Sequence, residues 1–284
     1  MTALSPSVTT HPAIRARLRH PGLLLSIIFL ALVLAAACFP DLLASRDPGT
    51  AVPADRLQPP GGAHLFGTDQ LGRDLFSRVV HGTALSLQAA ALALAVGLVG
   101  GSALGLVAGS ADRRVAGVLM RGADALMAIP PLLLSLALVT ALGFGTLKVA
   151  FAVGVTGVAA FARLMRAEVL RVRGAAYVEA AHASGARWHS VLLRHVLPNA
   201  SGPVLVFAAV EFGTIVLSVS ALSFLGYGAQ PPAPEWGALI SAGRGYIATS
   251  WWLTTLPGLT IAATVLAANR VARALDGGDE EDAL

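Results

Sequence analysis

Runs of apolar residues long enough to cross a bilayer dominate this chain and leave little from which a water-soluble core could form. Six stretches qualify: about Gly22 to Phe39, Ala84 to Gly109, Ala123 to Gly143, Val149 to Phe161, Pro203 to Phe224 and Trp251 to Ala268. About 20 helical residues cover the hydrocarbon thickness, and a helix satisfies its own backbone hydrogen bonds where no water is at hand. The fourth run is short, and is adequate only if extended to Leu147 and Lys148 at one end and to Leu164 at the other. Composition agrees: mean hydropathy is +0.71 and only 13% of residues are charged, against about a quarter in soluble domains. The expectation is an all-α integral membrane protein with six transmembrane helices and no separate soluble domain.

Charge then sets topology. The isoelectric point near 10.0 comes from nineteen arginines against one lysine, Lys148. In a membrane protein such an excess more often orients the chain than binds nucleic acid. With the N-terminus inside, fourteen basic residues fall in inside segments and six outside, which favours both termini in the cytoplasm. Arg15, Arg17 and Arg19 precede the first run, and Ala35-Ala36-Ala37-Cys38 loosely suggests a processing site. The run of eighteen residues exceeds the usual signal-peptide core, so it is read as an uncleaved first helix. Cys38 is the one cysteine, which excludes an internal disulfide framework.

The first outside segment, Pro40 to Thr83, carries Asp69, Arg73, Asp74 and Arg78 at helical spacing, expected as mutual ion pairs on an exposed helix face. Gly97, Gly101, Gly105 and Gly109 recur every four residues along the second run, a ridge of small residues that lets helices approach closely in lipid. The expected role is helix packing, for instance against a partner subunit, rather than contact with a substrate. Pro130-Pro131 should kink or locally unwind the third span, which makes Pro130 a candidate pathway residue near a gate, although bending alone would account for it. Asp124 and Glu211 are acids within or at the edge of spans, where a carboxylate must face protein, water or an interface. Arg121, three residues before Asp124, is its expected partner. Glu211 has none nearby in sequence and is the candidate for a pathway or subunit contact.

Between the fourth and fifth runs lies a polar island, YVEAAHASGARWHSVLLRHVLPN, from Tyr177 to Asn199. Glu179-Ala180-Ala181, then Gly185, then Leu197-Pro198 twelve residues further on, resembles the EAA loop of importer-type ABC transporter permeases. Further strings resemble the dipeptide, oligopeptide and nickel branch: Gly67-Thr68-Asp69 with Leu71-Gly72-Arg73-Asp74, Met120-Arg121 with Asp124 and Ala128-Ile129-Pro130, Ala221 to Gly226, and Gln230-Pro231-Pro232 with Pro234, Trp236 and Gly237. The likeness runs from about residue 15 to 275 and is closest to the second, C-type permease subunit. One departure is Val219, where members often carry an acid three positions before the Leu-Ser-Phe-Leu-Gly segment.

The resemblance implies a type I ABC importer permease fold, with one accessory and five core helices. Its organisation would be an N-terminal segment, first helix and outer loop over 1–83, a permease core over 84–275 with the coupling loop at 170–200, and an acidic tail over 276–284. In that family Glu179 anchors the ATPase contact, Ala180 and Ala181 permit close docking, Gly185 shapes the turn, and Leu197-Pro198 end the loop where the fifth span begins. The implied partners are a homologous second permease, two ABC ATPase subunits and an extracytoplasmic solute-binding protein, in a bacterial cytoplasmic (inner) membrane. The implied cargo is a di- or oligopeptide, with nickel or another small solute left open.

No catalytic constellation is visible. The chain has no glycine-rich phosphate loop followed by Lys and Ser or Thr, so ATP and Mg2+ are expected in the partner ATPases and no cofactor in this chain. The seven histidines are scattered, and no metal site is expected. An ion-coupled secondary transporter would call for intramembrane charged pairs and inverted repeats, and a membrane enzyme for clustered His or acids at one depth; neither pattern is seen.

Overall fold

The computed structural model describes residues 21–276, and nearly all of its regular structure is helical. Among the described residues five helices are long and apolar enough to cross a membrane: α1 (Pro21–Cys38), α3 (Leu75–Ser110), α6 (Thr146–Arg173), the continuous helix Trp188–Phe224 and α11 (Trp252–Asp276). A bent pair, α4 (Arg113–Met127) and α5 (Pro131–Leu142), makes a sixth crossing if taken as one span. The short α2 (Pro40–Leu43) follows α1.

The bent pair corrects the third expected span. Ala123 to Gly143 is not one kinked helix; its halves meet at 93° across the Pro130-Pro131 break. Pro131 has no N–H to donate, and the residue before a proline is pushed out of the helical region, so Pro130 takes an extended conformation and a new helix starts at Pro131. Asp112 caps α4 by accepting from the N–H groups of Arg114 and Val115. Along α4 Ala116 and Ala123 are buried, while Arg113, Arg114 and Arg121 are exposed.

The fourth span, short as an apolar run, is 28 residues of unbroken helix. Its apolar part ends near Arg163, but the helix continues with Arg166, Arg171 and Arg173 beyond it, so hydropathy alone understates its length. It lies along α3, and the glycine ridge is the seam. A Cβ on Gly105 would stand 2.8 Å from Met165 Cβ, and one on Gly109 2.6 Å from Val169 Cγ1. Gly97 faces the Gly154 carbonyl, and Gly154 in turn leaves no room beside Val96. All four ridge glycines therefore pack within this chain.

Two large apolar clusters fill the bundle, and a small third one joins Ala36, Ala44 and Val80. Of the two large ones, one joins α3, α5, α6, α11 and the helix that starts at Trp236 through Leu75, Val139, Val149, Trp236 and Trp252; the other lies at the end of the bundle that carries the polar loop, around Phe161, Met165, Val169 and Val172. Leu24, Leu25, Ile28, Leu32 and Leu34 of α1 are exposed, as lipid-facing residues of a membrane helix are.

The segment between α1 and α3 differs most from expectation. Asp69, Arg73, Asp74 and Arg78 are all buried, and α3 begins only at Leu75, inside the stretch assigned to the outer loop. Asp69 lies in a turn closed by its own carboxylate, which accepts from the N–H of Leu71 at 2.8 Å and of Arg73 at 3.0 Å and binds the Arg73 guanidinium at 2.7 Å. Asp74 caps α3 through the Ser77 N–H at 2.8 Å. Helical spacing is thus coincidental for the first three of these residues. The positions of Arg15, Arg17 and Arg19 and of the acidic tail beyond Asp276 lie outside the described residues.

Candidate functional site

The polar island folds back on the bundle as two short helices. After α6 ends at Arg173 come α7 (Ala176–Ala183) and α8 (Trp188–Val191), then a π turn over Leu192–Val196 and the long helix α9 (Leu197–Phe224). Val178 is the one buried residue of α7, and it joins Val191 and Val196 in the cluster with Met165, Val169 and Val172. One valine thus fixes a helix otherwise turned outward. Glu179 and Ala180 are exposed, and Ala181 is partly buried against the cluster. Glu179 lies in the first turn of α7, where a carboxylate is favoured by the unpaired N–H groups, and its side chain makes no ion pair among the described residues.

Gly185 ends the element. Its φ is +83°, a region that costs a residue with a Cβ about 1–2 kcal/mol, and its N–H donates to the His182 carbonyl at 3.0 Å while Ala186 N–H reaches back to Ala181. No atom lies within 4 Å of where a Gly185 Cβ would stand, so backbone conformation rather than crowding is what requires glycine. Arg173 ties the loop to the ridge helix by donating to the Gly109 carbonyl at 2.5 Å.

Leu197 and Pro198 do not end the loop. The helix that becomes the fifth span starts ten residues before Pro198, at Trp188, and runs unbroken to Phe224. A proline inside a helix has no N–H and presses on the carbonyl four residues back. The turn just before it is widened to a π turn, in which Leu197 N–H bonds to Leu192 O, and the Asn199 side chain donates to the exposed His195 carbonyl at 2.6 Å. The Leu-Pro pair therefore shapes the helix entering the bundle. Leu197 is partly buried against the same cluster, and Pro198 is exposed.

The remaining candidates are not gathered at this loop. Asp124 pairs with Arg163 of α6 at 2.6 Å, not with Arg121, and both side chains are about half exposed. Glu211 is half-buried in α9, and its carboxylate has no partner among the described residues. No hydrogen bond or ion pair links Glu211 to Asp124 or to the Pro130 break.

A buried acid at the other end of the bundle went unnoticed in the sequence. Glu235 is fully buried and caps α10 (Trp236–Gly243), accepting from the N–H of Gly237 at 3.1 Å and of Ala238 at 3.0 Å. Burial pushes its carboxyl above the usual value, and the two backbone N–H groups oppose that. Trp236, also fully buried, donates from Nε1 to the Val79 carbonyl at 3.1 Å. Glutamate is not a favoured capping residue, so no local pattern signals this role. Among the described residues no cluster of His, Cys, Asp and Glu is fit to hold a metal ion.

Residues 101–278 match the family described as binding-protein-dependent transport system inner membrane component. The chain is 39% identical to the di/tripeptide transport system permease protein DppC of Pseudomonas aeruginosa, over 88% of this chain and 84% of that one. It is 38% identical to the probable D,D-dipeptide transport system permease protein DdpC of Escherichia coli, over 86% and 82%. A glutathione transport system permease protein, GsiD of Pectobacterium atrosepticum, is 37% identical over 85% and 81%. Among solved structures the fold is similar to an inward-facing MetNI methionine ABC transporter, with TM-score 0.55 at 19% identity over 70% of this chain and 96% of that one. It is also similar to an amino acid ABC transporter, with TM-score 0.54 at 15% identity over 69% and 91%.

Proposed function

This chain belongs to the family of binding-protein-dependent transport system inner membrane components, and from that membership we propose that it is the permease subunit through which an ABC importer moves di- or oligopeptides across the cytoplasmic membrane. The observation that carries the coupling part of the reading is α7, an exposed short helix pinned by the single buried Val178. In this reading α7 seats in a cleft of a partner ATPase. Glu179 supplies a charge for a basic group there, Ala180 and Ala181 let the backbones approach, and Gly185 sets the turn that presents them. A second permease, a pair of ATPases and a solute-binding protein complete the machine, with ATP and Mg2+ held by the ATPases.

The packing gives the motion a route. Val178, Val191 and Val196 lock α7 to α6 and to the helix that becomes α9, so closure of the ATPases on α7 displaces both long helices together. The spans then rock between two states, and ATP binding biases which is populated. Glu211, half-buried on α9 without a partner, is the residue we assign to the pathway or to the contact with the second permease. Both termini and the α7 loop are assigned to the cytoplasm, on the excess of arginine in those segments.

The test is ATP-dependent uptake of a labelled dipeptide by proteoliposomes holding the complete complex, together with retention of the ATPases on the tagged permease. Glu179→Arg is expected to lower both uptake and retention by tenfold or more. Unchanged uptake in the variant refutes the role of Glu179. A wild-type complex that retains its ATPases and imports nickel but no peptide refutes the peptide assignment alone.

A further inference from the structure

Two adjoining hollows lie where the α7–α8 loop meets the end of α3. One, of about 80 Å3, is lined by Ser110, Arg173, His182, Trp188, Val191, Leu192 and Val196. The other, of about 410 Å3, is lined by Leu106, Val107, Ser110, Ala111, Trp188 and Leu192 and is nearly all apolar. They share Ser110, Trp188 and Leu192, so together they form one amphipathic cleft with a cationic, hydroxyl-bearing end and an apolar end. Three further observations point to a ligand. The Ser110 hydroxyl is buried with no hydrogen-bond partner, a state that costs free energy unless something fills it. Trp188 leaves 69% of its surface exposed beside the apolar hollow. Arg173, Arg187 and Arg194 of this region form no ion pair among the described residues, and no carboxylate lines either hollow.

The level in the bundle fits. Gly109, the last residue of the apolar ridge, packs against Val169 of α6, in a stretch where Arg163, Arg166, Arg171 and Arg173 mark the departure from hydrocarbon. A tryptophan there stands at the depth where indole rings favour the lipid–water boundary. Leu106 and Val107 lie one turn deeper.

We propose that this cleft binds an anionic phospholipid of the cytoplasmic leaflet, its phosphate held by Arg173, His182 and the Ser110 hydroxyl and an acyl chain laid along Leu106, Val107, Leu192 and Trp188. The leaflet rests on the orientation given under Proposed function; the chemistry of the cleft does not. The bound lipid would wedge between α3 and the base of the coupling element and make the position of α7 sensitive to membrane charge. The guanidinium supplies charge selectivity, since a basic side chain near the surface is worth about a fivefold preference for an anionic headgroup.

Trp188 is its own reporter. The full complex, with ATPases bound, is reconstituted in nanodiscs of phosphatidylcholine doped with acyl-brominated phosphatidylglycerol or acyl-brominated phosphatidylcholine, and the Trp188 signal is taken as wild type minus Trp188→Phe. Half-quenching is expected at about fivefold lower mole fraction of the anionic lipid. Arg173→Gln should abolish that preference and Arg173→Lys keep it. Should Arg173→Gln not assemble, Val107→Phe, which fills the apolar hollow without adding an indole, is expected to weaken quenching of Trp188 by the anionic lipid at least threefold. Equal quenching by both lipids in the wild type overturns the proposal. So does quenching that appears only after the ATPases are stripped, which would give the cleft to the partner subunit. Neither readout depends on transport, so failure here leaves the importer reading standing, and failure of peptide uptake leaves this one standing.

Discussion

Ser86 on α3 and Glu235 at the start of α10 share a buried hydrogen bond, Ser86 Oγ donating to Glu235 Oε1 at 3.3 Å across 149 positions of chain. The same hydroxyl oxygen accepts from Trp236 N–H at 3.1 Å, so one serine joins the long central helix to the helix that follows the proline-rich loop. Replacing Glu235 with alanine leaves two α10 N–H groups and the Ser86 hydroxyl proton without their acceptor, and should cost about 1–3 kcal/mol, read as a lower melting temperature of the purified permease.

The pH dependence of Glu235 has a definite sign. Burial raises its carboxyl above the usual carboxylate range, so the folded state holds the proton more tightly than the unfolded state. That contribution is complete below the unfolded value and is lost as pH rises through the folded one. The wild type should therefore lose melting temperature relative to Glu235→Gln as pH climbs from about 4 toward neutrality. Parallel melting curves for the two proteins over that range would sink the assignment.

The glycine seam predicts a contrast between two glycines. A side chain on Gly101 meets Phe161 Cβ, the Val158 carbonyl and, at 3.0 Å, the Ala162 nitrogen; two of the three are backbone and cannot swing away. Gly101→Val should cost about 1–3 kcal/mol through overpacking. Gly117, inside α4, has open space where a Cβ would go, and Gly117→Ala should gain about 0.5–1 kcal/mol from helix propensity. Thermal melts of both variants in one detergent check the pair.

What the sequence made legible divides along physical lines. Apolar length located the membrane helices, and small residues at i, i+4 located a seam, because both are local patterns. The seam's partner was not local: Gly154 and Val169 lie on another helix, and nothing in the ridge names them. Hydropathy understated the fourth span because its arginines extend the helix past the hydrocarbon. It also merged α4 with α5, since a proline pair inside an apolar run looks like a kink until the geometry shows a corner of 93°. Asp124 found Arg163, 39 positions away, over Arg121 on its own helix. The α7 residues were legible as a string, but Val178, which pins them, is an ordinary valine in sequence.

At Gly185 the backbone carries the prediction. With φ at +83°, Gly185→Ala should strain the end of α7 by about 1–2 kcal/mol, while Gly185→Asn should be milder because asparagine tolerates this region. Since α7 holds to the bundle mainly through Val178, the strain should appear as weaker ATPase retention more than as a lower melting temperature. A pull-down of the ATPases on each tagged variant, with the melting temperature measured alongside, separates the two; equal retention by glycine, asparagine and alanine would remove the turn from the coupling argument.

The turn before α3 offers the largest expected loss. Asp69 sits between two buried arginines, 2.7 Å from Arg73 Nε and 3.7 Å from Arg78 Nε, and its other oxygen accepts two backbone N–H groups. Asp69→Ala leaves two like charges buried together and two donors unmet, which should cost about 3–5 kcal/mol. Asp69→Asn keeps an oxygen for the N–H groups and should lose less. Removing Arg73 as well, in Asp69→Ala with Arg73→Ala, should recover part of the single-variant loss, because one of the stranded charges goes with it. A double-mutant cycle on melting free energy measures that recovery. Strict additivity of the two substitutions would mean that water, rather than Asp69, already compensates Arg73, and that the turn is held by its backbone bonds alone.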